Sequence, residues 1–424
     1  MKFRLNYGHD GLDIEIKDRN VFDVVESRQT DIIKSPLEAL KESFRNPIGT
    51  KPLKDKILSA GKICIVISDS TRAVPTEIIL QALLSEIESY SVKKEQITIL
   101  IATGLHRPNL GSELENLVGK EIAGNYRIVN HYARDRQTCE MIGRTGKGTP
   151  VIIDKTYLEA DFRILTGLIE PHFMAGFSGG RKAVCPGISY MDMFKYFHGP
   201  QILESPFASN AVLENNPFHL EAMEIAKMAG VDFIVNVTIN KNKEITGIFS
   251  GDLEDAFYKG AAFCREHNSY KIKSEADIVI TSGGGLPLDA TLYQAVKGMV
   301  AAMPAVKEGG MIIIASECNE EIGSQEFVDL VVNEKNLDAF IEKIKNPDFF
   351  VIDQWELEEL AKARKKAEIY LYSPCLSNCM HKIPEGTLKL VSSVDEALKT
   401  GLEKFGEDAK VTIIPEGPYT IPVK

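Results

Sequence analysis

Short runs of apolar residues recur along this chain and alternate with longer stretches in which apolar residues return every three or four positions. The first pattern is typical of buried parallel strands, and the second is typical of helices that pack one face on a sheet. The predicted strands are 63–67, 97–101, 163–165, 233–237, 278–281, 311–315, 368–371 and 410–414. The predicted helices are 77–89, 253–265, 292–306 and 355–367. This alternation predicts an α/β fold with mostly parallel sheets.

Two regions depart from the alternation. Phe3, Leu5 and Tyr7 alternate with polar residues, which predicts a half-exposed hairpin at the N-terminus. A polar, charged stretch at 266–276 separates a predicted helix from a new strand and predicts a domain boundary. We therefore expect an N-terminal α/β domain over 1–270 and a C-terminal α/β domain over 271–424, both of ordinary domain size.

The composition excludes several classes of protein. The 424 residues are 44% hydrophobic and 26% charged, the balance of a globular protein that needs no disulfide framework. The net charge of −11 argues against non-specific binding of nucleic acid or of anionic membranes. No run suits a signal peptide or approaches the ~18 apolar residues of a membrane span, so we expect a cytoplasmic protein.

The seven cysteines are an odd number spread over the whole chain, which does not suit a disulfide framework. Cys375 and Cys379 are the one close pair, and His381 follows them. Further metal ligands at familiar spacing do not accompany these three residues. We expect free thiols in a turn.

Four loops contain side chains suited to chemistry, and three of them directly follow a predicted strand, where ligands bind in α/β sheets. The loop after the predicted strand 63–67 contains Asp69, Ser70, Thr71 and Arg72, which could bind a phosphate or a carboxylate. An ordinary helix cap beside a solvated arginine explains them equally well. After the second strand, His106 stands between a glycine and a proline, where it is either a proton-transfer group or a surface histidine.

The richest loop, 167–187, contains His172, the sequence SGG at 178–180, Arg181 and Lys182. The glycines let backbone amides approach an anion, and the two cations supply charge. The loop lacks the GxxxxGKS/T spacing of a P-loop, and no GxGxxG fingerprint of dinucleotide binding follows the first strand. A glycine-rich structural loop is the alternative.

The fourth loop, 283–289, leads into the predicted helix with Tyr293, Gln294 and Lys297. Because residues four apart share a helix face, these groups could hold a carboxylate; a partly solvated amphipathic face is the alternative. His198 is either a packed core histidine or a metal ligand. As a ligand it would need donors from a non-protein group.

Together these segments resemble the lactate racemase family, the 2-hydroxyacid racemases and epimerases that use a nickel-pincer nucleotide. The motifs DSTRAVP, TGLHRP, PHFMAGFSGGRKAVCPG, FHGP and YQAVKGM occur in matching order and spacing. The likeness covers essentially the whole chain, and PHxxAGxSGGRK is its most specific part. It implies two α/β domains with the active site in the cleft between them.

The resemblance also implies a cofactor, the pyridinium-3,5-bisthiocarboxylic acid mononucleotide with nickel, which separate maturation enzymes must supply. Lys182 corresponds to the lysine that forms a thioamide to this cofactor, and His198 corresponds to the protein ligand to nickel. The segment that contacts the cofactor corresponds to Asp69, Ser70, Thr71 and Arg72.

For the substrate, the resemblance implies that His106 and His172 are an acid/base pair. The positions that hold the substrate's carboxylate and hydroxyl are Tyr293, Gln294 and Lys297, with Arg72 also near the substrate. Removing hydride while a base takes the hydroxyl proton avoids a carbanion beside a carboxylate. Returning the hydride to the opposite face of the ketoacid inverts the centre, and two bases serve the two enantiomers. Arg72 or Lys297 would stabilise the polarised carbonyl. Which 2-hydroxyacid is bound stays open.

Two other functions fit some of the same residues. One is a nicotinamide-dependent 2-hydroxyacid dehydrogenase with a histidine base and an arginine for the carboxylate, although the glycine fingerprint is absent. The other is a non-catalytic protein that binds a phosphorylated ligand. The joint presence of Lys182, His198, His106 and His172 argues against a member that has lost activity.

Overall fold

The computed structural model describes residues 1–28, 30–240, 242–346, 349–384 and 386–423. The chain forms two compact units. The N-terminal unit comprises Gln29–His198 and Ser205–Glu266, and the C-terminal unit comprises Met1–Arg28, Gly199–Glu204 and His267–Lys424. The domain ranges 1–270 and 271–424 stay a prediction from the sequence. The compact units differ from these ranges at the N-terminus, because Met1–Arg28 belongs to the C-terminal unit. The strand Val21–Val24 pairs there with Val411–Ile414.

The N-terminal unit is built on one twisted sheet whose strands are hydrophobic on both faces. In its described part, six strands lie in the order Ile245–Gly251, Phe233–Ile239, Phe162–Leu168, Ile63–Ser68, Ile97–Ala102 and Arg127–Asn130. Ile245–Gly251 runs antiparallel to its neighbour, and the other pairs are parallel. Two short antiparallel hairpins accompany the sheet: Cys139–Arg144 with Pro150–Asp154, and Pro171–His172 with Gly176–Phe177.

Five of the described helices cover this sheet and bury its isoleucine and leucine side chains in a continuous core: Pro36–Arg45, Leu53–Ile57, Thr76–Ser89, Ser112–Val118 and Lys120–Asn125. The other described α-helices of this unit are Lys155–Leu158, Phe194–Phe197, Pro217–Ala229 and Leu253–Asn268. Asn216 caps the helix Pro217–Ala229 by accepting from the His219 N–H, and proline at the first helical position suits that start.

The C-terminal unit is also built on a sheet covered by helices, and all described strand pairs of this sheet are parallel. Its described strands lie in the order Lys389–Val391, Ala367–Tyr372, Val306–Ala315, Ala276–Ser282, Val411–Ile414 and Val21–Val24. The N-terminal residues form the antiparallel hairpin Lys2–Leu5 with Leu12–Glu15. Ser269–Lys271 pairs in parallel with Ile421–Val423. The helices of this unit are Pro200–Leu203, Leu292–Ala302, Gln325–Asn333, Leu337–Ile344, Gln354–Lys366 and Val394–Phe405.

The predicted fold class is confirmed, because both units are α/β with mostly parallel sheets. Each predicted strand is present: four are one or two residues longer than predicted, three are three to five residues longer, and 410–414 is one residue shorter. The predicted helix 292–306 ends earlier, at Ala302, and residues from Val306 onward begin a strand. Among the described residues, no helix combines the length and the apolar content needed to cross a membrane. All seven cysteines are free thiols, and only Cys375 is exposed.

Gly298 sets how closely the helix Leu292–Ala302 packs on the sheet. A β-carbon at Gly298 would lie 2.3 Å from the carbonyl oxygen of Ser282. Gly298→Ala should therefore push this helix away from the strand and destabilise the C-terminal unit by about 1–3 kcal/mol. Urea unfolding followed by fluorescence of the single tryptophan, Trp355, measures this unit directly.

Gly124→Ala is the matched control, since a β-carbon at this helical glycine meets no described atom within 4 Å. It should leave stability unchanged or raise it by up to about 1 kcal/mol. Equal unfolding midpoints for Gly298→Ala and the wild type would contradict the packing argument.

Candidate functional site

Three neighbouring parallel strands of the N-terminal unit deliver the candidate loops to one edge of the sheet. Ile63–Ser68 lies between Ile97–Ala102 and Phe162–Leu168. The loop with Asp69 follows the middle strand, and the loops with His106 and Glu170 follow its two neighbours. Parallel strands end at a common edge, so these loops meet there.

Asp69 and His106 form a close pair. Nδ1 of His106 lies 2.6 Å from Oδ2 of buried Asp69, and the Thr71 hydroxyl donates to Oδ1 at 2.7 Å. Burial alone would raise the pKa of Asp69, but His106, Thr71 and Arg72 outweigh it and lower that pKa. The carboxylate therefore accepts from Nδ1–H, and the exposed Nε2 of His106 is left as a base.

Ser70 lies behind this pair in a polar brace. Its hydroxyl donates to Oε1 of Glu113 at 3.0 Å and accepts from Nδ2 of Asn109 at 2.7 Å. Arg107 binds the Glu113 carboxylate through two nitrogens, at 2.6 and 2.9 Å. The Ser70 hydroxyl thus fixes the loop.

Arg72 connects the first loop to the third. Its Nη1 donates to Oε1 of Glu170 at 3.2 Å, and both side chains are largely buried. The Glu170 backbone is fixed in turn by Ser178, whose N–H donates to the Glu170 carbonyl at 2.9 Å. Arg72 is therefore held close to the hairpin that bears His172.

His172 and Lys182 are in direct contact. Nζ of Lys182 lies 2.6 Å from Nε2 of His172, and the N–H groups of Met174 and Ala175 donate to Nδ1, both at 3.3 Å. The Phe218 ring packs beside both groups, with its centroid 5.2 Å from Nζ and 6.4 Å from the imidazole centroid.

Arg181 differs from the sequence expectation that it supplies charge to a bound anion. Its side chain is completely buried, and its guanidinium donates to the carbonyls of Ala175 at 2.7 Å and Gly179 at 3.2 Å. The guanidinium also lies 4.2 Å from the centroid of Phe257. Burial lowers the pKa of Arg181 to about 9. Arg181 is thus a structural centre of the loop, which turns at Gly179 and Gly180 with φ of +80° and +50°.

His198 lies at the end of the short helix Phe194–Phe197, between two aromatic rings. It stacks on Phe194 at 5.4 Å and meets the edge of Phe218 at 5.6 Å. Burial lowers the pKa of His198 to about 3. The imidazole is therefore neutral, the form that binds a metal ion.

The C-terminal unit places the three predicted substrate residues on one helix. The Thr291 hydroxyl caps Leu292–Ala302 by accepting from the Gln294 N–H at 3.2 Å. Nζ of Lys297 donates to Oε1 of Gln294, and the Tyr293 hydroxyl accepts from Nε1 of Trp355 at 2.8 Å. Tyr293 and Lys297 thus share a face one turn apart, as the sequence predicts.

Within the described ranges, no group of three or more histidine, cysteine, aspartate or glutamate side chains is arranged to hold a metal ion. Cys375 is exposed and Cys379 is buried, both as free thiols. A metal ion at His198 would therefore need donors beyond the described histidine, cysteine, aspartate and glutamate side chains.

Comparison with known proteins decides the family. The model of the lactate racemase N-terminal domain matches residues 7–210, and the model of the C-terminal domain matches residues 271–421. The chain belongs to the lactate racemase family. This assignment confirms the resemblance read from the motifs, and it makes the protein an enzyme of the isomerase class, a racemase.

Relatives of this lactate racemase family member cover almost the full chain. The lactate racemase of Thermoanaerobacterium thermosaccharolyticum is 36% identical over 98% of this chain and 97% of its own length. That of Lactiplantibacillus plantarum is 36% identical over 90% of each protein. The solved lactate racemase apoprotein from T. thermosaccharolyticum superposes with a TM-score of 0.92 at 35% identity and covers 100% of both chains. A Thermotoga maritima protein shares the fold, with a TM-score of 0.72 at 18% identity over 92% of this chain and 98% of its own.

Several residues of the candidate site were not singled out from the sequence. Phe218 packs against three candidate residues, Asn109 and Glu113 brace Ser70, and Asn236 accepts from the Gly180 N–H at 2.8 Å. The Asn216-Pro217 pair does signal a helix start just before Phe218. No local signal shows which loop that helix faces.

His219, next to Phe218, provides a test of burial at this site. Burial, reinforced by the Arg181 charge, lowers the pKa of His219 to about 3. In the unfolded chain this pKa is about 6.5, so between these values only the unfolded state takes up the proton. Stability should therefore fall as the pH drops below about 6.5, by up to about 1.4 kcal/mol per pH unit for this group.

His219→Gln should make the free energy of unfolding less dependent on pH across this window, as measured by urea titrations from neutral to acid pH. His381→Gln, at an exposed position, is the control and should keep the wild-type pH dependence. The same slope in wild type and His219→Gln would show that this ring is protonated in the folded protein.

Proposed function

We propose that this enzyme inverts C2 of lactate or a related 2-hydroxyacid, through a ketoacid intermediate, with a nickel-pincer nucleotide attached at Lys182. The observation that carries the proposal is the convergence of three candidate side chains on one ring. The Phe218 ring packs against His172, Lys182 and His198. We assign His172 to proton transfer, Lys182 to cofactor attachment and His198 to nickel binding. We propose a cytoplasmic location, with maturation enzymes as partners.

The residues present fit the cofactor. His198 is buried as a neutral imidazole, and Lys182 is partly exposed beside it on the same ring. Because described protein groups do not form a metal site unaided, sulfur and carbon donors from a nucleotide complement a single histidine. When bound, the nucleotide would supply the hydride acceptor and the remaining ligands to nickel.

The protein's own part in the reaction is to bind the acid and move one proton. Asp69 orients His106 through Nδ1 and leaves Nε2 as a base for the substrate hydroxyl. His172 is the second base, so each enantiomer meets one histidine. Arg72, which is positioned by its hydrogen bond to Glu170, would stabilise charge on the carbonyl oxygen.

The C-terminal helix would hold the substrate's polar end. Lys297 supplies the positive charge for a carboxylate, and Gln294 orients its ammonium through a hydrogen bond. The Tyr293 hydroxyl accepts from Nε1 of Trp355, which orients the hydroxyl, and its O–H would donate to the substrate. A substrate with a carboxylate next to a hydroxyl matches this set of donors.

The first test is the intact mass, under denaturing conditions, of protein produced together with cofactor-maturation enzymes and nickel. A nucleotide-sized adduct should appear and map to the peptide that contains Lys182. Lys182→Arg should lose the adduct, whereas Lys195→Arg, at an exposed neighbouring position, should keep it. An unmodified wild-type chain, in a parallel run in which the L. plantarum relative becomes modified, would refute attachment.

The two-base assignment predicts that His106→Ala and His172→Ala each slow racemisation of lactate by about 100- to 10,000-fold. Chiral chromatography starting from either pure enantiomer measures the rate, and the final ratio of enantiomers should stay equal. His381→Ala is the exposed control and should racemise at the wild-type rate. Near wild-type rates in both active-site variants would refute the assignment.

A further inference from the structure

The hydrogen bonds around His172 determine which ring nitrogen has the proton. The N–H groups of Met174 and Ala175 both donate to Nδ1, at 3.3 Å. A ring nitrogen that accepts hydrogen bonds is unprotonated, so the proton of the neutral ring is on Nε2. Nζ of Lys182 lies 2.6 Å from that nitrogen.

This tautomer fixes the direction of the contact with Lys182. Nε2–H donates, so Nζ must accept with a lone pair, which an ammonium group lacks. We propose that His172 holds Lys182 as a neutral amine and thereby prepares this side chain for covalent attachment of the cofactor. The inference deepens the proposed function and rests on it for the identity of the attached group, but not for the state of the amine.

The described groups near the pair act in both directions on the charge of the amine. The cationic Arg181 is adjacent in sequence, and burial keeps the Cys185 thiol and the His198 ring uncharged. Glu221 lies on the helix of Phe218, and a carboxylate there would favour an ammonium. It already accepts a hydrogen bond from the Thr145 hydroxyl at 2.5 Å. The Phe218 ring, 5.2 Å from Nζ, favours an ammonium, but only weakly at this distance.

The attachment step needs this lone pair, which is released when the hydrogen bond from Nε2–H breaks. The amine attacks a thiocarboxylic acid carbon of the nucleotide and forms the C–N bond. The carbonyl oxygen leaves as water, with one hydrogen from the amine and one from the thioacid, and a thioamide remains. No electrons are exchanged, so no oxidant or reductant is required.

Attachment would also change what His172 can do. A thioamide nitrogen has no basic lone pair, so the contact that occupies Nε2 is lost once Lys182 has reacted. Nε2 of His172 then faces the substrate instead of the amine, and it can accept the substrate's proton once the ring has changed tautomer. The same histidine would serve first the lysine and then the 2-hydroxyacid.

Trace acetylation with acetic anhydride over a range of pH tests the state of the amine without any cofactor. Peptide mass spectrometry gives the pH midpoint for reaction of each lysine, which does not depend on how accessible the lysine is. In the wild type, the midpoint for Lys182 should lie more than about one pH unit below that of exposed Lys195, a tenfold higher amine fraction. Equal midpoints for the two lysines in the wild type would overturn the proposal.

Variants assign the effect to His172. His172→Gln should move the midpoint of Lys182 up to that of Lys195, whereas His106→Gln should leave it low, although both remove a proposed base. Nitrogen-15 shifts of the wild-type His172 ring test the tautomer independently of any variant. A protonated Nδ1 would overturn the proposal.

Loading with maturation enzymes and nickel then separates this inference from the proposed function. The adduct at Lys182 should form on the wild type and on His106→Gln, and more slowly on His172→Gln. If Lys182 has a low acetylation midpoint in a wild-type chain that never forms the adduct, cofactor attachment is refuted. The neutral state of the amine is then still supported. Equal loading of all three proteins would overturn the role of His172.

Discussion

The order of parallel strands in the N-terminal unit is the constraint on which the candidate site depends. Ile63–Ser68 is central among three adjacent strands, so the loops that follow all three end at one edge. Asp69 meets His106 from one neighbouring strand, and Arg72 meets Glu170 from the other. Residues 30 to 100 positions apart in the chain become hydrogen-bonded pairs because their strands are neighbours.

The apolar runs and the motifs could be predicted because they are local properties of the sequence. A run such as 63–67 indicates a strand, and a glycine-bracketed histidine after a strand indicates an exposed loop. The pairing of Asp69 with His106 could not be predicted, because it depends on strand order. The position of Phe218 beside Lys182 could not be predicted either. It depends on how a helix more than 30 residues away in the sequence packs against the loop. Arg181 was misread because the sequence does not show whether a guanidinium faces a ligand or carbonyl groups of its own loop.

Buried polar contacts hold the glycine-rich loop in its unusual shape. Arg181 is completely buried, so its hydrogen bonds to the Ala175 and Gly179 carbonyls offset part of the cost of removing the guanidinium from water. On the C-terminal side of Lys182, the Ser189 carbonyl is in contact with the buried ring of His131 at 3.1 Å. The other ring nitrogen of His131 lies 2.8 Å from the Asp154 carboxylate. These contacts fix the chain on both sides of Lys182. Lys182 therefore extends from a backbone that is fixed on both sides, which is what precise placement of the proposed cofactor would require.

The same logic explains why the charged and polar candidates are paired before any substrate is bound. Asp69 restricts His106 to one tautomer, Gln294 orients the Lys297 ammonium, and Glu170 holds Arg72. Each pairing lowers the entropy that a catalytic group would lose on meeting the substrate, so more binding energy remains for the reaction itself. His172 is the exception, because its partner is the lysine expected to react. A pairing that ends when Lys182 is modified would make proton transfer by His172 conditional on attachment, and an unloaded chain would lack both the hydride acceptor and one of its two bases.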